Sequence, residues 1–104
     1  MSDRELLELA AKAAGIEGEL TEYGVWPEGD FGIWRPHRDD GDALRLAVKL
    51  GLHISQQLSY VAVMQPHGGA GSHRLQWTEQ YNDDPYAATR RAIVRAAAEI
   101  GKTL

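Results

Sequence analysis

Three aspartates fall within four positions at "DDGD", residues 39–42, immediately before the apolar run "ALRLAVKLG". Clustered carboxylates can hold a divalent cation or supply an acid and a base to a reaction. A calcium loop needs alternating oxygen ligands, a glycine at the sixth position and a glutamate at the twelfth, and "DDGDALRLAVKL" meets none of this beyond its first residues. The local alternative is simpler. Asp39 or Asp40 can accept hydrogen bonds from the unpaired first-turn amides of a helix, and the remaining carboxylates sit favourably at the positive end of its dipole. The aspartates are read as helix-opening residues, with no metal.

His67 and His73 flank "GGAGS" and could face each other across a hairpin mouth as transition-metal ligands. No third ligand is fixed beside them unless His37 or His53 comes near, so both are read as solvated loop residues. The glycines form neither "GxxxxGK" nor "GxGxxG", which leaves a phosphate cradle unsupported. Ser2, Ser55, Ser59 and Ser72 lack a nucleophile-elbow context, and the chain has no cysteine. No enzymatic activity and no cofactor are expected.

Binding chemistry is better represented. Tyr23, Trp26, Phe31 and Trp34 crowd a short stretch around "PEGD", and aromatic side chains on a turn are enriched at partner surfaces. The same rings could equally cover one end of a small core. Arg90, Arg91 and Arg95 form a second candidate, as phosphate contacts in the early turns of the last helix. Against it stand the net charge of −4 and an ordinary solvated helix face shared with Glu99.

These residues need elements to position them. At 104 residues, 43% apolar and 25% charged, the chain fits a single domain, residues 1–104, with one modest core. Residues 1–42 carry net −7 and residues 43–104 net +3, so no wholly basic footprint offers itself to nucleic acid. No apolar run approaches the roughly 18 residues of a membrane span, and the acidic amphipathic start "MSDRELLEL" is unlike a secretory signal. A cytoplasmic protein is expected.

"SDRELLELAAKAAGI" reads as a helix, with Ser2 and Glu5 at capping-box spacing and Gly15 as its stop. "GELTEYGVWPEGDFGIW" reads as a hairpin turning at Pro27–Gly29. From residue 42 to 50 the polar side chains are Asp42, Arg45 and Lys49, a narrow stripe on a second helix that ends at Gly51. So wide an apolar arc calls for cover on more than one side, from the sheet and from another helix or a second subunit. Leu44, Ala47 and Val48 are therefore expected in the core. "LHIS", "LSYVAVMQ" and "HRLQWTEQ" read as an antiparallel meander joined at "QQ" and "PHGGAGS", with Leu75, Trp77 and Glu79 alternating against Arg74, Gln76 and Thr78. A final helix is capped by Asp84, carries Pro85 at its first position and stops at Gly101.

Two blocks, "WRPHRDDGDALRLAVKLGL" over Trp34–Leu52 and "DPYAATRRAIVRAAAEIG" over Asp84–Gly101, resemble small tailed-phage and prophage proteins that carry the phage ABA sandwich domain. "ELLELAAKAAGI" is also similar to that group, whereas residues 53–83 are not, and Arg35 and His37 replace the more usual Asn and Leu beside the proline. The resemblance implies an alpha-beta-alpha arrangement and a phage or prophage origin, and carries no activity or catalytic residues with it.

The expected fold is α+β, three helices packed on a mainly antiparallel sheet of about four to five strands, in the order α-β-β-α-β-β-β-α. The expected function is that of a phage- or prophage-encoded accessory protein, non-enzymatic and acting through a host or phage protein partner, with Tyr23, Trp26, Phe31 and Trp34 as its surface. The alternative is a nucleic-acid-binding module with the helix and strand order of double-stranded RNA-binding domains. A homodimer remains open.

Overall fold

A computed structural model of the chain describes residues 2–27, 32–65 and 76–104. Phe31, His67, His73, Arg74 and Leu75 lie outside the described residues. Within them the order is α1 (Asp3–Ala14), β1 (Gly18–Thr21), β2 (Gly24–Pro27), α2 (Asp40–Leu50), β3 (His53–Gln56), β4 (Tyr60–Met64), β5 (Gln76–Gln80) and α3 (Pro85–Lys102). This is the α+β order read from the sequence. Its five strands are divided between a two-stranded sheet, β1-β2, and a three-stranded sheet, β3-β4-β5, all antiparallel.

The caps follow from local chemistry. The Ser2 hydroxyl accepts from the Glu5 amide and donates to its carboxylate, both at 3.2 Å, which caps α1 through the hydroxyl alone. Gly15 and Gly51 take φ of 71° and 65°, the left-handed geometry that lets the next residue reach back to the helix. Ile16 N–H accordingly donates to Ala11 O, and Leu52 N–H to Ala47 O, each at 2.9 Å. Asp84 caps α3 through the Ala87 amide, and Pro85 occupies the first turn, where no donor is missed.

Helix α3 is the centre of the molecule. It meets the larger sheet through β4 and β5, and its other faces pack on α1 and α2. Its small residues Ala88, Ala92, Ala96, Ala97, Ala98 and Gly101 are buried and permit this close approach. On the sheet, Val61 and Val63 are fully buried, and the register sets Val63 against Trp77 and Val61 against Glu79 on the covered face. Gln76, Thr78 and Gln80 alternate with them and are exposed, the wetter face read from the sequence.

Three expectations are corrected. Leu44 and Val48 are 59% and 73% exposed, because α2 turns only Ala43, Leu46 and Ala47 into the core and presents its other apolar flank outward. Gly101 does not stop α3, which runs on to Lys102 and is capped at Thr103. A Cβ at Gly101 would overlap the Leu9 carbonyl, so this glycine serves the approach of α1 to α3. The first hairpin turns at Glu22–Tyr23, while the expected turn at Pro27–Gly29 lies partly outside the described residues. Gly24, at φ 145°, begins its return strand, and Val25 pairs on its far side with Trp34 through two backbone hydrogen bonds of 2.8 and 2.7 Å.

Candidate interaction surface

Each member of the aspartate triplet has a separate structural partner. Asp39 is the N-cap of α2 and accepts from the Asp42 amide at 2.8 Å. Asp42 accepts from the Arg35 amide at 3.0 Å with one oxygen and from Arg45 at 2.7 Å with the other, tying the incoming loop to the first turn. That contact holds the exposed Arg45 guanidinium above its ordinary pKa, chiefly through the Asp42 hydrogen bond. Asp40 binds Arg90 of α3. Among the described residues no three histidine, aspartate or glutamate side chains converge as a metal site.

The arginine trio is equally engaged. Arg90 bonds Asp40 and donates from Nε to the His37 carbonyl at 3.3 Å. Arg91 and Arg95 both reach Glu79 on β5, at 2.7 and 3.2 Å. Their partner is across the helix–sheet contact, not Glu99, which pairs with Lys102. Three guanidiniums already engaged by two carboxylates, Asp40 and Glu79, make a poor phosphate footprint.

The three described aromatics of this stretch separate, Phe31 lying outside the described residues. Trp34 is 9% exposed and belongs to the core, while Tyr23 and Trp26 are 66% and 53% exposed. The register explains Trp26: Val25 pairs with Leu20 on the covered side, so Trp26, opposite Glu19, must face outward. Tyr23 extends from the turn, where Thr21 Oγ1 accepts from its amide at 3.1 Å. The structure thus leaves one tryptophan on the ribbon and one tyrosine at its turn exposed to solvent.

A second apolar surface includes Leu44 and Val48, which the sequence placed in the core. Leu44 of α2, Ile54 of β3 and Tyr86 at the start of α3 line a groove of about 360 Å³ floored by Ala43 and Ile93. Val48 continues it one turn along α2. The sequence signal was present in the unusually wide apolar arc of α2.

His37 lies half-buried beside several small clefts near Asp3, Arg38 and Glu22. Its Nδ1 is buried without a hydrogen-bond partner among the described residues. Desolvation lowers its pKa below 6.5, with Arg38, Arg35 and Arg90 reinforcing the shift and Asp3 opposing it. A wider hollow of about 880 Å³ between α1 and β1 is rimmed by Glu5, Glu8, Lys12 and Glu17, and no nucleophile–base pair lines it. No helix among the described residues is long and apolar enough to cross a membrane.

No protein-family model, no curated protein and no solved structure matches this chain.

Proposed function

We propose that this is a small, non-enzymatic accessory protein that acts by binding another protein through the outer face of the β1-β2 ribbon. The observation that carries the reading is the exposure of Trp26 on the ribbon, with Tyr23 exposed at its turn. A large ring held in water on a short ribbon gains most when a partner covers it. Engagement of every aspartate of the triplet in a cap or ion pair supports a non-enzymatic role. Phage or prophage origin, a host or phage protein as partner and residence in the bacterial cytosol rest on the resemblance of Trp34–Leu52 and Asp84–Gly101 to the phage ABA sandwich group. Nucleic-acid binding is the weaker reading, since Arg90, Arg91 and Arg95 are paired with Asp40 and Glu79.

The test is affinity purification of the tagged chain from its bacterial host, wild type beside Trp26→Ala. A partner captured by the wild type and lost from an equally folded Trp26→Ala protein supports the reading. A partner retained by Trp26→Ala, or salt-sensitive retention on duplex nucleic acid as the sole interaction, overturns it.

A further inference from the structure

We infer that the cleft between α1 and the outer edge of β1 binds an extended segment of another protein, one that alternates apolar with basic residues and adds as a strand on β1. Its contacts are with β1 and α1, apart from Trp26.

Backbone geometry supplies the edge. Val25 N–H and C=O both bond Trp34 on the far side of β2, at 2.8 and 2.7 Å. Val25 and Leu20 are therefore a pair whose main-chain groups point away from each other, as every second pair of an antiparallel ladder does. The N–H and C=O of Leu20 thus face outward from β1, where among the described residues no backbone meets them. A peptide laid along this edge can exchange both hydrogen bonds with Leu20, the main-chain contact by which strands are added to a sheet.

The hollow of about 880 Å³ lies beside that edge, and Leu9, Ile16, Leu20 and Val25 give it an apolar lining. Because Leu20 and Val25 face the hollow, every second side chain of a strand paired with β1 would enter the same space. The intervening side chains fall on the outer face, next to Glu19. Period-two alternation in the bound segment follows from these two faces.

Charge selects what alternates with the apolar residues. Glu8, Glu17 and Glu19 are exposed, and among the described residues no lysine or arginine pairs with them. Lys12, the cation lining the hollow, is turned to the Leu104 carbonyl at 2.9 Å. Basic side chains beside Glu19 and at the rim carrying Glu8 and Glu17 meet opposite charge. A second copy of β1 would instead set carboxylate against carboxylate.

The test titrates the purified chain with capped peptides of about six residues, a usual strand length, that alternate lysine with valine or leucine. Saturable binding is expected, with the Leu20 amide gaining hydrogen-exchange protection. Glu17→Lys/Glu19→Lys changes only exposed positions, should keep the wild-type circular dichroism and should weaken binding by about tenfold or more. Methylating alternate backbone nitrogens of the peptides, in the register that faces β1, should weaken binding by about tenfold as well. Peptides with glutamate in place of lysine should not bind, and Trp26→Ala should bind as the wild type does. Absence of binding by every basic–apolar peptide overturns the proposal, as does binding indifferent to the lysine double variant or to methylation in both registers. Binding lost in Trp26→Ala would put the segment on the outer face and overturns it too.

Discussion

Gly101 of α3 and Leu9 of α1 approach so closely that a Cβ on the glycine would overlap the leucine carbonyl oxygen. The contact joins the two helices near one end, where Lys12 Nζ also donates to the Leu104 carbonyl at 2.9 Å. Alanine would favour the helix intrinsically by about 1 kcal/mol, so the sign of the substitution reports which effect prevails. Gly101→Ala is expected to destabilise by about 1–3 kcal/mol, the usual result of overpacking, as measured by denaturant unfolding. Stabilisation would show that α1 can shift away freely.

The aspartates are predicted to differ among themselves. Asp39→Ala removes the cap of α2 and should lose about 0.5–2 kcal/mol. Asp40→Ala breaks an ion pair whose carboxylate is largely exposed and should lose under about 1 kcal/mol. With the aspartates engaged in a cap and ion pairs, magnesium and calcium should leave the wild-type Tm unchanged. Metal-dependent stabilisation lost in Asp39→Ala would restore the cation site.

Substitutions along α2 should separate its flanks. Leu46→Asp places an unpaired carboxylate at a position 2% exposed and should prevent folding. Val48→Asp, two residues further along the helix but facing water, should fold cooperatively with stability within about 0.5 kcal/mol of wild type. Circular dichroism melts read both.

The two tryptophans of the hairpin region should divide in the same way. Trp34→Ala should lose about 3–5 kcal/mol, the range for emptying an aromatic core site. Trp26→Ala should cost within about 0.5 kcal/mol and remove the red-shifted part of the emission spectrum. Equal losses at both positions would place Trp26 in the core as well.

Acidification should weaken the fold through His37. Its folded pKa lies below 6.5, so the unfolded chain binds a proton that the folded chain refuses. The stability it contributes is fully present above about pH 6.5 and is lost progressively as the pH falls from there to the folded value. Tm measured from about pH 8 to about pH 5 should therefore fall less steeply in His37→Gln than in the wild type. Parallel profiles would show that the imidazole protonates freely in place.

Local chemistry was readable from the sequence, and long-range pairing was not. Ser2, Gly15, Asp39, Gly51 and Asp84 do what their types and spacings imply, because a cap involves only neighbours within a turn. Asp40–Arg90 and Arg91–Glu79 join residues 50 and 12 positions apart, and no periodicity encodes them. Periodicity found the apolar arc of α2 but could not say which flank would be covered, and so misplaced Leu44 and Val48. The reversal at Glu22–Tyr23 was missed, although Gly24 offered the positive φ with which the return strand begins. Trp34 and Trp26 are alike in composition and separated only by register.

The position of α3 also constrains the order of events during synthesis. It follows every other element in the chain, yet α1, α2, β4 and β5 all pack against it. Until its 18 residues have been added, at about 5–20 per second, the apolar faces of those earlier elements lack their cover. For a period on the order of a second or more each nascent chain therefore carries uncovered sheet and helix surface, the condition under which holding chaperones engage. Slowing translation across the codons of α3 should then reduce soluble yield more than slowing it across α1, although the finished protein is identical.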